Sequence, residues 1–132
     1  MSDDKDPRRV VERFMAAMEK LDYDAALTHV SDEIVYTNIP MGPVEGPAAV
    51  RGLLEPFFAS TLENKWVISH VAVNGPTVFI ERLDRHHYPG GWAELPVVGV
   101  LEVHDGLITA WRDYFDLATL QRNLAQVGQS LG

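Results

Sequence analysis

The chain has 132 residues, 46% of them hydrophobic and 23% charged, the size and mixture of one soluble globular domain with a single core. Lys and Arg number 11 against 19 Asp and Glu, a formal net charge of -8, so phosphate backbones are repelled and nucleic-acid binding is not expected. No cysteine is present, which excludes a disulfide scaffold, thiol catalysis and zinc sites built on Cys.

In chain order, the acidic start Met1-Ser2-Asp3-Asp4-Lys5-Asp6 lacks the apolar core of a signal peptide. No apolar run approaches the ~20 residues of a membrane-spanning helix. A soluble, cytoplasmic protein without a membrane partner is the expectation. Val10, Val11, Phe14, Met15, Ala17, Met18 and Leu21 follow helical spacing after Pro7, which suits a first helical turn. A short helix is predicted from Asp22 to about His29. The period then changes to two over residues 34–39, a strand that Pro40 and Gly42 end. Gly46-Pro47 opens a third helix, with Pro56 expected to kink or end it.

From residue 64 onward the pattern is mostly strand. Residues 66–73, 77–86, 92–104 and 107–115 are predicted strands, separated by turn signals at Asn74-Gly75-Pro76, Pro89-Gly90-Gly91 and Asp105-Gly106. Residues 117–127 read as a closing helix, with Leu117, Leu120 and Leu124 covering the sheet or a dimer contact. Helices first and a meander second is the α+β pattern, with helices packed on one face of a sheet. One domain over 1–132 is expected, with residues 1–6 and 128–132 as mobile ends.

Polar residues inside the apolar strands carry the chemistry. Residues two apart on a strand share a face. Tyr36 and Asn38 therefore sit with Ile34, Arg82 and Asp84 with Val78 and Ile80, and Asp113 with Thr109, Trp111 and Phe115. Should those faces line a curved sheet, two carboxylates, a guanidinium, a phenol and an amide enter an apolar interior. Unpaired buried charge costs several kcal/mol. Two ionised aspartates and one arginine sum to a single negative charge, and one proton held by the aspartates makes the group neutral. Such a neutral array holds a general acid and a general base at one pH. A surface salt bridge between Arg82 and Asp84 is the competing reading, since Glu81 and Arg85 charge the opposite face. Other residues offer less. His86 and His87 face opposite ways, His29, His70 and His104 lack metal-ligand spacing, and Ser60, Thr61 and Ser69 lack a nucleophile-elbow context.

These residues also stand in a recognisable order. Val35-Tyr36-Thr37-Asn38-Ile39-Pro40 carries Tyr-x-Asn before Pro, and Glu81-Arg82-Leu83-Asp84 carries Arg-x-Asp. Gly99-Val100-Leu101-Glu102-Val103 leads through Asp105-Gly106 to Ala110-Trp111-Arg112-Asp113-Tyr114-Phe115-Asp116-Leu117. From about residue 8 to about 122 the chain resembles the limonene-1,2-epoxide hydrolase family, within the SnoaL-like superfamily. The resemblance implies a nuclear-transport-factor-2-like fold (a cystatin-like roll), a cone-shaped curved mixed sheet whose N-terminal helices close a deep pocket, in a homodimer. It implies that Asp84, Arg82, Asp113, Tyr36 and Asn38 are the catalytic five, adding water to an apolar cyclic, terpene- or steroid-like epoxide. The product would be a vicinal diol, with neither metal nor other cofactor required. Val78, Ile80, Leu95, Val97, Leu101 and Trp111 are the expected substrate-binding walls. The departures lie in His86-His87-Tyr88-Pro89 and Met41-Gly42-Pro43-Val44, around the pocket. Competing readings are a ketosteroid-isomerase-like or polyketide-cyclase-like enzyme and a non-catalytic small-molecule binding module. An isomerase needs neither a water site nor an Arg between two aspartates.

Overall fold

The Asp6 carboxylate accepts the Arg9 N–H at 3.2 Å and Pro7 occupies the first turn, so α1 starts at Pro7 and runs Pro7–Glu19. The computed structural model that shows this describes residues 3–131. Helix α1 buries the stripe predicted for it, Val10, Val11, Phe14, Met15 and Met18. Asp22 caps α2 (Tyr23–Leu27) through the Ala25 N–H at 3.1 Å. Strand β1 (Val30–Ile39) begins four residues before the predicted start, because Val30 pairs with Ile108. A three-residue strand, β2 (Pro43–Glu45), was not expected. It pairs antiparallel with β1, and three residues between Gly42 and Gly46 are too few for periodicity to register. Helix α3 (Pro47–Phe57) ends one residue beyond Pro56.

Strands β3 (Glu63–Asn74), β4 (Thr77–Tyr88), β5 (Gly91–His104) and β6 (Leu107–Tyr114) precede α4 (Leu117–Ala125). Asp105 (φ 54°) and Gly106 (φ 78°) make the two-residue β5–β6 hairpin, whose positive φ at both positions is what Asp-Gly supplies. The sheet order is β2-β1-β6-β5-β4-β3. Only the β1–β6 pairing is parallel, so the sheet is mixed, as the resemblance implied. The fold is α+β, a curved six-stranded sheet with helices on its inner face. One face departs from the predicted pairing of residues. Glu102 pairs with Ala110 but Val103 with Ile108, so Thr109 is an extra residue in β6. Ile108, not Thr109, therefore joins Trp111 in the core.

Two apolar clusters fill the inner face. The larger joins α1 to β1, β4, β5 and β6 through residues such as Phe14, Ile34, Leu101 and Trp111. The smaller sets Leu120, Leu124 and Val127 against Tyr88, Leu95 and Val97, so α4 covers the sheet. No helix among the described residues is long and apolar enough to cross a membrane. At the ends, Arg13 donates to the Asp4 carbonyl at 2.7 Å, and the Gln129 N–H reaches the Leu124 carbonyl at 2.9 Å. Of the two ends expected to be mobile, Met1, Ser2 and Gly132 lie outside the described residues.

Candidate active site

Four adjacent strands bring the polar residues together by register. Asn38 of β1 lies beside Asp113 of β6, and Tyr36 beside Trp111. Gly99 of β5 faces Asp113 across the next ladder, and Val97 and Leu95 face Arg82 and Asp84 of β4. Every second residue of β4 from Val78 to Tyr88 is buried, so Arg82 and Asp84 point inward with Asp113. The three have relative exposures of 3%, 6% and 5%. The surface-salt-bridge reading of Arg82 and Asp84 is thereby overturned.

Arg82 holds both carboxyls at once. Its Nε and Nη2 donate to Asp84 Oδ1 and Oδ2 at 2.6 and 3.2 Å, and its Nη1 and Nη2 donate to Asp113 Oδ1 and Oδ2 at 3.1 and 2.7 Å. All four carboxyl oxygens therefore face one guanidinium, a geometry that the planar fork of Arg allows and Lys does not. The Trp111 Nε1–H adds a further bond to Asp113 Oδ1 at 2.7 Å. Burial opposes the Arg82 charge, but Asp113 and Asp84 outweigh it and raise the pKa. Burial pushes the Asp113 carboxyl above its ordinary value, against the pull of Arg82. The Tyr36 hydroxyl, raised well above its ordinary value by burial and then by Asp113, stays protonated and donates to Asn38 Oδ1 at 2.8 Å.

These groups open onto a cavity of about 530 Å³, bounded on its other side by Leu54 and Phe57 of α3 and by Phe58 just after it. Among the expected walls, Leu95 and Val97 line it. Val78, Ile80, Leu101 and Trp111 do not: they lie fully buried in the larger core cluster. They share the inner face, but toward the end of the sheet that α1 covers, where Phe14 meets Trp111 edge-on at 5.1 Å. Trp111 instead backs the site, stacked on Tyr36 at 4.0 Å. The tail reaches the cavity too, through Gln129, Ser130 and Leu131. His70 is exposed against Glu81, away from the cavity. Among the described residues no group of three or more His, Cys, Asp or Glu is placed to hold a metal ion.

Two further residues shape the site. The Trp66 ring lies 4.8 Å from the Arg82 guanidinium carbon, adding a cation–π face to the bridge. A Cβ on Gly99 would fall 2.7 Å from Arg82 Nη1 and 3.0 Å from Asp113 Oδ1. Gly99 thus leaves the space in which the bridge forms. The sequence held both signals, a Trp at the start of a predicted strand and a Gly inside a long one, but neither reveals its neighbour. Gly99→Ala should keep the fold by circular dichroism and lower kcat/KM about 10²-fold, through misplaced reacting groups. A variant within threefold of wild type would show that the bridge tolerates the methyl group.

An inward-curved mixed sheet, with helices over a buried carboxylate–guanidinium–carboxylate bridge, is a fold of the nuclear-transport-factor-2-like, SnoaL-like type. The sequence model described as "Limonene-1,2-epoxide hydrolase catalytic domain" matches residues 5–126, and the chain belongs to the limonene-1,2-epoxide hydrolase family. It is 32% identical to epoxide hydrolase EphG of Mycobacterium tuberculosis over 115 residues, covering 86% of this chain and 76% of that protein. Among solved structures, an M. tuberculosis LEH-like epoxide hydrolase superposes with a TM-score of 0.76 at 31% identity, over 91% of this chain and 92% of that one. A SnoaL-like polyketide cyclase from Shewanella putrefaciens, so described provisionally, gives 0.82 at 19% identity over 91% and 96% of the two chains. That likeness is one of fold alone.

Proposed function

We propose that the protein hydrolyses an epoxide on a largely apolar skeleton to a vicinal diol in one concerted acid–base step, with Asp113 as base, Asp84 as acid and Arg82 between them. The observation that carries this reading is the single guanidinium spanning both buried carboxyls at the wall of the cavity. One shared proton makes the three groups neutral. The reading places that proton on Asp84, whose carboxyl accepts two N–H donors against three at Asp113. Because Arg82 occupies the inner lone pairs of Asp84, that proton faces outward, toward an epoxide oxygen in the cavity.

The hydrogen-bond inventory of the attacking water closes around Tyr36 and Asn38. Tyr36 gives its proton to Asn38 Oδ1, so its oxygen can accept one water hydrogen while Asp113 takes the other. The Asn38 amide N–H₂ donates to one water lone pair. The second lone pair attacks the epoxide carbon from the rear as Asp84 protonates the opening oxygen. Asp113 gains a proton, Asp84 loses one, and exchange with solvent resets the pair. A single turnover in water labelled with heavy oxygen, with enzyme in excess, tests direct attack. The first diol should carry the label and the protein none. An unlabelled first diol followed by label in Asp113 would mean that this carboxylate attacks carbon itself.

The same reading includes a homodimer. Val67, Phe79, Val98 and Tyr114 are 39–48% exposed on the outer face of β3 to β6, an apolar area suited to a second copy. Light scattering should give twice the 14.7 kDa chain mass, and Val98→Glu should give the monomer. A wild-type monomer at micromolar concentration would remove the dimer from the proposal.

A further inference from the structure

One buried polar side chain in the cavity has no part in the reaction proposed above. His86 follows Asp84 by two residues on β4, shares its inward face, and is 2% exposed. It lines the cavity and packs among the rings of Phe57, Phe58 and Tyr88, with centroid distances of 5.9, 5.2 and 6.5 Å. Its Nδ1 is hydrogen-bonded to Asn64 Oδ1 at 2.5 Å. Asn64 is itself buried, and its Nδ2 donates to the Met18 carbonyl at 3.4 Å, which turns its oxygen toward His86.

That arrangement fixes a tautomer. A carbonyl oxygen only accepts, so the proton between the two side chains belongs to His86 Nδ1. In a neutral ring the other nitrogen, Nε2, is then a bare acceptor. Burial, and then the nearby Arg82 charge, lower the His86 pKa to about 4, so the ring is neutral at ordinary pH. No hydrogen bond to Nε2 forms among the described residues. Asn64 does not line the cavity, whereas His86 does. An acceptor thus stands in an aromatic stretch of wall, roughly 6–7 Å along the strand from Asp84, by the rise of about 3.3 Å per residue.

We propose that His86 determines specificity by accepting, at Nε2, a hydrogen bond from a substrate hydroxyl, so that the epoxide the protein is built for carries a hydroxyl on its apolar skeleton. This rests on the epoxide hydrolase reading and narrows its substrate. The hydroxyl belongs at about the His86–Asp84 spacing from the epoxide oxygen, five or six bonds away along an extended chain. A site shaped to pair a hydroxyl discriminates against the analogue that lacks it, because the analogue leaves the site's polar atom unpaired.

The test uses two substrates and three proteins. The probes are a straight-chain terminal epoxide bearing a hydroxyl six bonds from the epoxide oxygen and the same compound with hydrogen in its place. Wild type should prefer the hydroxylated compound by about tenfold or more in kcat/KM, the value of one well-placed hydrogen bond. His86→Asn places an amide donor near the former Nδ1 and keeps the Asn64 contact, but its shorter side chain leaves no acceptor at the Nε2 position. Its preference should fall to about one. His86→Gln places an amide oxygen near the former Nε2 and should restore part of the preference. A wild-type ratio near one, or a ratio unchanged in His86→Asn, overturns the assignment of His86 while diol formation leaves the reaction standing. Failure of wild type to open either epoxide overturns the underlying reading, and this proposal with it.

Discussion

Asp113→Asn should lower kcat by about 10³-fold, within the 10²–10⁴ range of a lost general base, and leave KM nearly unchanged because the apolar walls that hold the substrate are untouched. The amide is nearly isosteric and the fold should persist. It cannot take the proton of the attacking water. In wild type the base works only when ionised, and burial places the Asp113 pKa above its ordinary value. The acid limb of kcat/KM should therefore lie above the usual carboxylate range of about 4, activity rising with pH as Asp113 ionises. Asp84→Asn should instead lower turnover across the whole pH range, because the donor to the opening oxygen is gone. Steady-state kinetics from pH 4 to 9 on all three proteins would measure the acid limb and both losses. Turnover by Asp113→Asn within tenfold of wild type would sink the assignment of the base.

The site could be assembled from sequence because its parts lie on strands. A period of two puts Tyr36 with Asn38 and Arg82 with Asp84, and burial charges each such pair a price that demands a partner. The family resemblance then supplied the neighbour relations that periodicity lacks. What could not be read was set by tertiary packing. Residue parity assigns Val78, Ile80, Leu101 and Trp111 to the same inner face as Leu95 and Val97, but only the position of α1 decides which end of that face is filled. The one-residue bulge at Thr109 likewise changes which residues of β6 turn inward. Gly99 is a case of a different kind. Its contribution is the absence of an atom, visible only once Arg82 and Asp113 are known to meet across β5. The pattern of two adjacent histidines does not reveal that Asn64, 22 residues away in sequence, meets His86 at Nδ1.

Arg82→Ala should damage stability and activity together, and the two losses should be separable. Removal of the guanidinium leaves two carboxyls buried at 6% and 5% exposure without their cation, a change that costs about 3–5 kcal/mol in buried pairs. For a chain of this size that is a fall in Tm on the order of 10 °C or more. The remaining aspartates would reduce the cost by taking up protons, which removes the ionised base. Turnover should therefore fall at least about 10²-fold even where the protein stays folded. Arg82→Lys restores a positive charge, but a point charge cannot meet four carboxyl oxygens in one plane. It should recover part of the stability and little of the rate. The triple variant Arg82→Met, Asp84→Leu, Asp113→Leu removes the buried charges altogether. It should regain most of the lost stability, as apolar replacement of buried ion groups does, and have no measurable activity. Calorimetry and single-turnover assays on the three variants read the two quantities separately. If Arg82→Ala melts with wild type, the bridge contributes nothing to the fold. If the triple variant still opens epoxides, the reaction does not depend on these residues.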